Sequence, residues 1–157
     1  MIRVLLAAAC LLAACSSEPQ HHGWFMIENR ADAQGQWVAT SFADSQRLQV
    51  IDRGRHRRLW VEEYATAYGR GHTLVLYQVN CIARTIQILQ GSLYDENGGT
   101  QPVREMLTPE YIVPDTYGDH IRNFACDVRS AWDARIQPLG AGVTPAATMA
   151  PTLASLP

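Results

Sequence analysis

The sequence predicts an α+β fold: an antiparallel sheet of about six strands with a C-terminal helix tied to it by a disulfide. Three observations lead there. Strand-like segments follow one another with short turns and no helical stretch between them. One helical periodicity appears late, after Pro114. Two cysteines fall one in the strand region, Cys81, and one in the helical region, Cys126.

The first strand is predicted at the apolar run Trp24-Phe-Met-Ile27, and the second at Gln36-Trp-Val-Ala-Thr-Ser-Phe42, rich in aromatic and β-branched residues. Ala31-Asp-Ala-Gln-Gly35 makes the loop between them, and Asp44-Ser-Gln the next turn. Leu48-Gln-Val-Ile51 and the stretch from Arg57 to Tyr64 flank the hairpin signal Asp52-Arg-Gly54. Tyr68-Gly-Arg-Gly71 breaks the chain before Thr73-Leu-Val-Leu-Tyr77 resumes it. Gln78 to Tyr94 then reads as one long strand: Ile82, Ile86 and Ile88 alternate with the small or polar Ala83, Thr85 and Gln87. Asn97-Gly98 suits a tight turn, from which the chain doubles back through Gln101 to Met106. Such a series without intervening helices predicts an antiparallel meander.

Pro114-Asp115-Thr116 supplies a helix start, with Asp119 adding negative charge to the first turn. Ile121, Phe124, Ala125, Val128, Ala131, Trp132 and Ile136 recur at helical spacing, predicting a helix to Val128 with a continuation to Arg135. On one continuous helix Cys126 would lie about 150° from the centre of that stripe. A disulfide from Cys126 therefore requires either a break near Cys126-Asp127 or an approach from the helix flank. Pro138 to Pro157 is rich in Ala, Pro and Thr and has no charge, so it is expected to be disordered.

With 157 residues, 47% apolar and 18% charged, the chain is long enough for one globular domain with short appendages. The formal net charge of -2 argues against nucleic acid as a partner. All 13 basic residues are arginine.

The N-terminus carries an export signal. Arg3 precedes the short apolar run from Val4 to Ala14, which falls below the roughly 20 residues needed to span a bilayer. Leu12-Ala13-Ala14-Cys15 matches the bacterial lipobox, which implies cleavage before Cys15 and lipidation of its thiol. The alternatives are an ordinary secretory signal with a coincidental cysteine, and Cys10 as a weaker site. Ser16 and Ser17 follow, without the aspartate of inner-membrane retention, so the expected location is the outer membrane, at its surface or periplasmic face. The chain thus divides into a signal peptide at 1–14, a lipidated tether at 15–23 that includes His21-His22, a domain at 24–137 and a tail at 138–157. Loss of Cys10 and acylation of Cys15 leave Cys81 and Cys126 alone in an oxidising compartment, which predicts their disulfide. It closes a loop of 45 residues. Two thiols without further ligands cannot fill a tetrahedral metal site.

The sharpest charge cluster is Arg53, Arg55, Arg57 and Arg58, with His56 among them. At a hairpin it could meet an anionic ligand such as a sulfated glycan, lipid phosphate or acidic protein, or simply form a solvated end. On a strand only about half its members share a face. No nucleophile elbow, zinc-protease motif or phosphate-cradling loop is present. Glu62-Glu63 would send one carboxylate to each face of a strand, so it is no acid–base pair. Asp95-Glu-Asn-Gly lacks the oxygen spacing of a calcium loop. The residues point to a non-catalytic protein with no cofactor and no metal.

Several of these residues in order are similar to the surface-adhesin protein E family of small bacterial lipoproteins. They are Val79-Asn-Cys81, Arg84, Tyr94, Gly98, Tyr111-Ile-Val-Pro114-Asp-Thr-Tyr-Gly118 and Cys126, with Trp37 and the Arg53-Gly54 to Trp60 hairpin upstream. The resemblance covers about residues 36–128. Asn80 stands where the family usually has Asp, and Tyr111 where Trp is more typical. The resemblance implies an antiparallel sheet with a disulfide-held helix, and binding of host extracellular-matrix or serum proteins through surface loops and strands. The alternative is a periplasm-facing structural or stress-related lipoprotein without a host ligand.

Overall fold

A computed structural model describes residues 23–127 and 136–156. The predicted signal peptide, Cys15, the tether to His22 and the helix continuation from Val128 to Arg135 lie outside these residues.

Among the described residues, nine strands form one antiparallel sheet, where about six were expected. In chain order they are β1 (Trp24–Ala31), β2 (Trp37–Asp44), β3 (Gln49–Ile51), β4 (His56–Ala65), β5 (His72–Asn80), β6 (Thr85–Tyr94), β7 (Thr100–Pro102), β8 (Glu110–Tyr111) and β9 (Gln137–Pro138). Helix α1 (Tyr117–Ala125) lies between β8 and β9, and α2 (Pro145–Ala154) follows β9. Across the sheet the order is β7-β6-β5-β4-β2-β1-β9, with β3 beside the start of β4 and β8 beside the start of β6. The α+β class and the disulfide-tied helix hold. The added strands are the short edge pieces β8 and β9, too brief to show a period of two in sequence, and the division of the expected long strand; β7 falls at the start of the return expected through Gln101 to Met106.

The long strand expected from Gln78 to Tyr94 is two strands. β5 ends at Asn80, and β6 begins at Thr85 after a tight turn. The Asn80 side-chain oxygen accepts the backbone N–H groups of Ile82 (3.1 Å) and Ala83 (2.8 Å), which turns the chain locally. Arg84 leaves that turn at φ 55°. Cys81 therefore sits in a turn, and Ile82, expected on a buried face, is 75% exposed. Alternation resumes at Ile86 and Ile88, opposite Val79 and Tyr77.

Each face of the sheet carries a helix. On one side, Ile121, Phe124 and Ala125 of α1 pack on Phe25, Ile27, Leu59, Val61 and Val79, and all of these are buried. A nine-residue helix is marginal alone, so this contact and its covalent tie hold it. The helix starts at Thr116, whose hydroxyl donates to the Val113 carbonyl instead of capping, while Asp119 accepts the Asp115 N–H at 3.3 Å. It stops at Ala125. Cys126 is the C-cap residue, followed by Asp127 at φ 54°. This termination resolves the angular conflict: Cys126 is past the helix rather than on its polar side. It bonds to Cys81 with 5.7 Å between the Cα atoms.

The segment beyond Gln137, expected to be disordered, covers the other face. Thr144 caps α2 by accepting the Ala147 N–H at 3.2 Å, and Pro145 fills the first helical turn. Pro145, Met149 and Leu153 repeat every four residues along one side. Met149 is 3% exposed and packs with Phe42 and Tyr64, with Trp24, Met26 and Leu153 around them. The domain thus extends past the boundary expected at Gln137. A signal was present in Thr144-Pro145 and that spacing, but the composition masked it.

Two stability predictions follow from these contacts. Replacing Cys81 and Cys126 together by Ser should lower the unfolding free energy by about 4 kcal/mol, as expected for a loop of this length, in urea titrations of oxidised protein. Met149→Ala should cost about 2–3 kcal/mol in the same assay; a change within error would mean that α2 does not pack.

Candidate functional site

The two ends of the sheet differ in chemistry. At the first end the strands meet in one line, Ile51 beside His56, His56 beside Asn80, Asn80 beside Thr85 and Thr85 beside Tyr111. At about 4.8 Å per strand this rim is roughly 19 Å wide. It holds the 3-10 turn Asp52–Gly54, the disulfide turn and the segment after β8. The Arg55 carbonyl accepts the Cys81 N–H at 3.0 Å, which joins the basic tip to the disulfide turn.

The four arginines singled out by sequence do not form one patch. Arg53 and Arg55 are exposed at the tip. Arg57 pairs with Val79 on the α1 face and folds its guanidinium back over Gly54. Arg58 lies on the opposite face, where its Nε donates to Gln78 at 2.9 Å. Asp52 accepts from His56 Nδ1 at 2.9 Å. Two arginines thus remain available to an anion.

The second end contains a cleft that sequence did not single out. It has a volume of about 520 Å³ and lies on the α1 face, between the N-terminus of α1 and the strands near the β4–β5 turn. Val75, Ile88, Leu93 and Val103 give it apolar walls, and Arg30, Glu63, Tyr68, Tyr77 and Tyr117 supply polar groups. Val103 reaches the cleft because its N–H bonds the Gly91 carbonyl at 3.0 Å. A Cβ on Gly91 would come within 3.1 Å of both Val103 and Val75. Size and lining match a small-ligand or side-chain pocket.

Glu63 organises the polar side of this cleft. Tyr68 donates to its Oε1 at 3.0 Å, and Ser41 to its Oε2 at 3.3 Å. Tyr117 meets Tyr77 edge to face, with ring centroids 6.5 Å apart, so three phenols and a serine gather around one carboxylate. Burial pushes the Tyr68 hydroxyl up to about 12, with the negative Glu63 adding to it and Thr73 and Arg30 opposing. Burial also raises Tyr77, against the hydrogen bond from Tyr117, and lifts Tyr117 well above the ordinary phenol value. All three stay neutral donors and acceptors throughout the physiological range. Glu62 points to the other face, where Tyr64 donates to it, and His72 stacks between Tyr64 and Tyr94 at 5.2 and 4.9 Å.

The residues of this cleft come from β1, β4, β5, β6, β7 and α1 and from turns far apart in the chain, so no local motif announces them. Among the described residues no group of three or more His, Cys, Asp or Glu is placed to hold a metal ion, and no helix is long and apolar enough to cross a membrane. Comparison with known protein families, with curated proteins and with solved structures finds no match.

The buried phenols set an alkaline limit. Tyr68 holds its proton to about 12 in the folded chain and to about 10 when unfolded, so the native state binds more protons above pH 10. The contribution of Tyr68 to stability should be constant up to pH 10 and fall between pH 10 and 12. Tyr68→Phe should reduce the slope by one proton in urea midpoints measured across that range.

Proposed function

We propose that the protein is a lipid-anchored bacterial envelope module that binds another protein without catalysis, as members of the surface-adhesin protein E family do with host matrix and serum proteins. The observation that carries this reading is the tyrosine-lined cleft, which lies at the sheet end away from the chain's entry point. β1 runs from Gly23 at the rim side toward the β1–β2 turn, so a lipid on Cys15 would leave the cleft pointing outward. Tyrosine offers large amphipathic contact area with few rotatable bonds, a property favoured at protein interfaces. The residues from Val79 to Cys126 that resemble the protein E family support the same class. So does the lipobox-like Leu12-Ala-Ala-Cys15.

A periplasm-facing structural lipoprotein is the competing reading, and protease treatment of intact cells separates the two. Surface exposure predicts loss of the domain, whereas full protection would sink the adhesin reading. On exposed protein, Gln101→Arg and Val103→Trp, which crowd the cleft, should weaken binding to immobilised matrix and serum proteins about tenfold or more. Arg55→Ala should leave it unchanged. Loss with Arg55→Ala alone would move recognition to the basic tip.

A further inference from the structure

The rim that carries the disulfide turn has a composition unlike the rest of the surface. Val50, Ile82, Tyr111 and Val113 are 63, 75, 63 and 57% exposed. Arg53 and Arg55 are exposed beside them, and neither is held by an ion pair among the described residues. The mixture is uneven: Glu110 and Asp115 lie exposed toward the β8 side, whereas at the corner built by β3 and β4 the exposed Asp52 is engaged by His56 and Arg53 and Arg55 give a positive balance.

That corner lies on the rim side of the place where β1 begins. Gly23 and Ser45 exchange backbone and side-chain hydrogen bonds of 2.8 to 3.0 Å, and Ser45 begins the bend that leads into β3. Trp24 pairs with Asp44 and Ala43 with Val61, so β1 starts level with Trp60. From there to His56 is four residues, about 14 Å along the sheet. β1 runs away from the rim, so Gly23 lies at its rim-side end. Between Cys15 and Gly23 the chain can span at most about 29 Å.

We propose that this corner, Val50, Arg53, Arg55 and Ile82, docks onto an anionic lipid headgroup layer and fixes the domain upright on its anchor. The proposal rests on lipidation at Cys15. A tether this short holds the corner close to the bilayer, and each arginine near an anionic surface contributes about 1 kcal/mol. Two arginines then favour the docked state about 30-fold. Val50 and Ile82 add apolar side chains at the depth where headgroups meet acyl chains. The opposite end mixes exposed Asp32, Asp95 and Glu96 with exposed Arg30 and Arg70, so it offers no comparable positive corner.

The test uses full-length exported protein purified in detergent. Its intact mass first reports whether Cys15 carries acyl chains; an unmodified thiol would overturn the docking and the anchor together. Acylated protein is then placed in vesicles of phosphatidylcholine alone or with 30% phosphatidylglycerol, and amide hydrogen exchange is followed by mass spectrometry. Docking predicts slower exchange of residues 50–55 and 81–84 only in the anionic vesicles, lost at high salt and in Arg53→Glu/Arg55→Glu. Equal exchange in both vesicles would overturn the docking while leaving the anchor intact. Protection by a sulfated glycan such as heparin, without protection by anionic vesicles, would instead assign the corner to a glycan and reject the lipid.

Discussion

The covalent and polar clamp at the disulfide turn is the constraint on which the rest of the structure depends. Cys126 ends α1 and bonds to Cys81 in the β5–β6 turn. Beside it, Arg84 reaches Asp119 in the first turn of α1 at 3.5 Å, and the Arg84 carbonyl accepts the Ile112 N–H at 2.8 Å. One four-residue turn thus holds the helix, its approach strand and the basic tip. A helix of nine residues could not supply this itself, because so few internal hydrogen bonds do not repay nucleation. With the helix fixed, Ile121 and Phe124 close the core over β4 and β5, and Tyr117 is delivered to the far cleft.

The sheet has a polarity along its strands. The clamp and the exposed arginines gather at one end and the tyrosine cleft with its Glu63 network at the other, while β1 starts about 14 Å from the clamp's rim. Each helix covers part of one face, and the cleft lies where the α1 face is left open toward the β4–β5 turn. The proposed anchoring at one end and binding at the other would need no moving part. The rigidity of the clamp is therefore what would transmit an orientation fixed at the membrane to the cleft.

Much of the sheet could be read from the chain, because β-branched and aromatic runs separated by Asp-Arg-Gly54 and Asn-Gly98 turns state their own boundaries. The pairing of Cys81 with Cys126 was legible by elimination. The turn at Cys81 was not: Ile82 continues the apolar alternation, and only the Asn80 side chain, which captures two backbone N–H groups, breaks it. Composition also hid α2, since proline and threonine usually mark irregular chain, whereas Thr144 and Pro145 here begin a helix. The basic cluster could be seen but not resolved, as strand alternation sends Arg57 and Arg58 to opposite faces. The cleft was invisible because Arg30, Glu63, Tyr68, Tyr77 and Tyr117 meet only through sheet register and helix placement.

The proposed allocation of cysteines joins these threads, since the disulfide ties the helix and marks the rim and would leave Cys15 for the proposed anchor. Peptide mapping of the exported protein, digested without reduction, tests it most directly. The account predicts a peptide pair linked through Cys81 and Cys126, and no cross-link from Cys15 to either. Free thiols at both positions, or a bridge to Cys15, would contradict it.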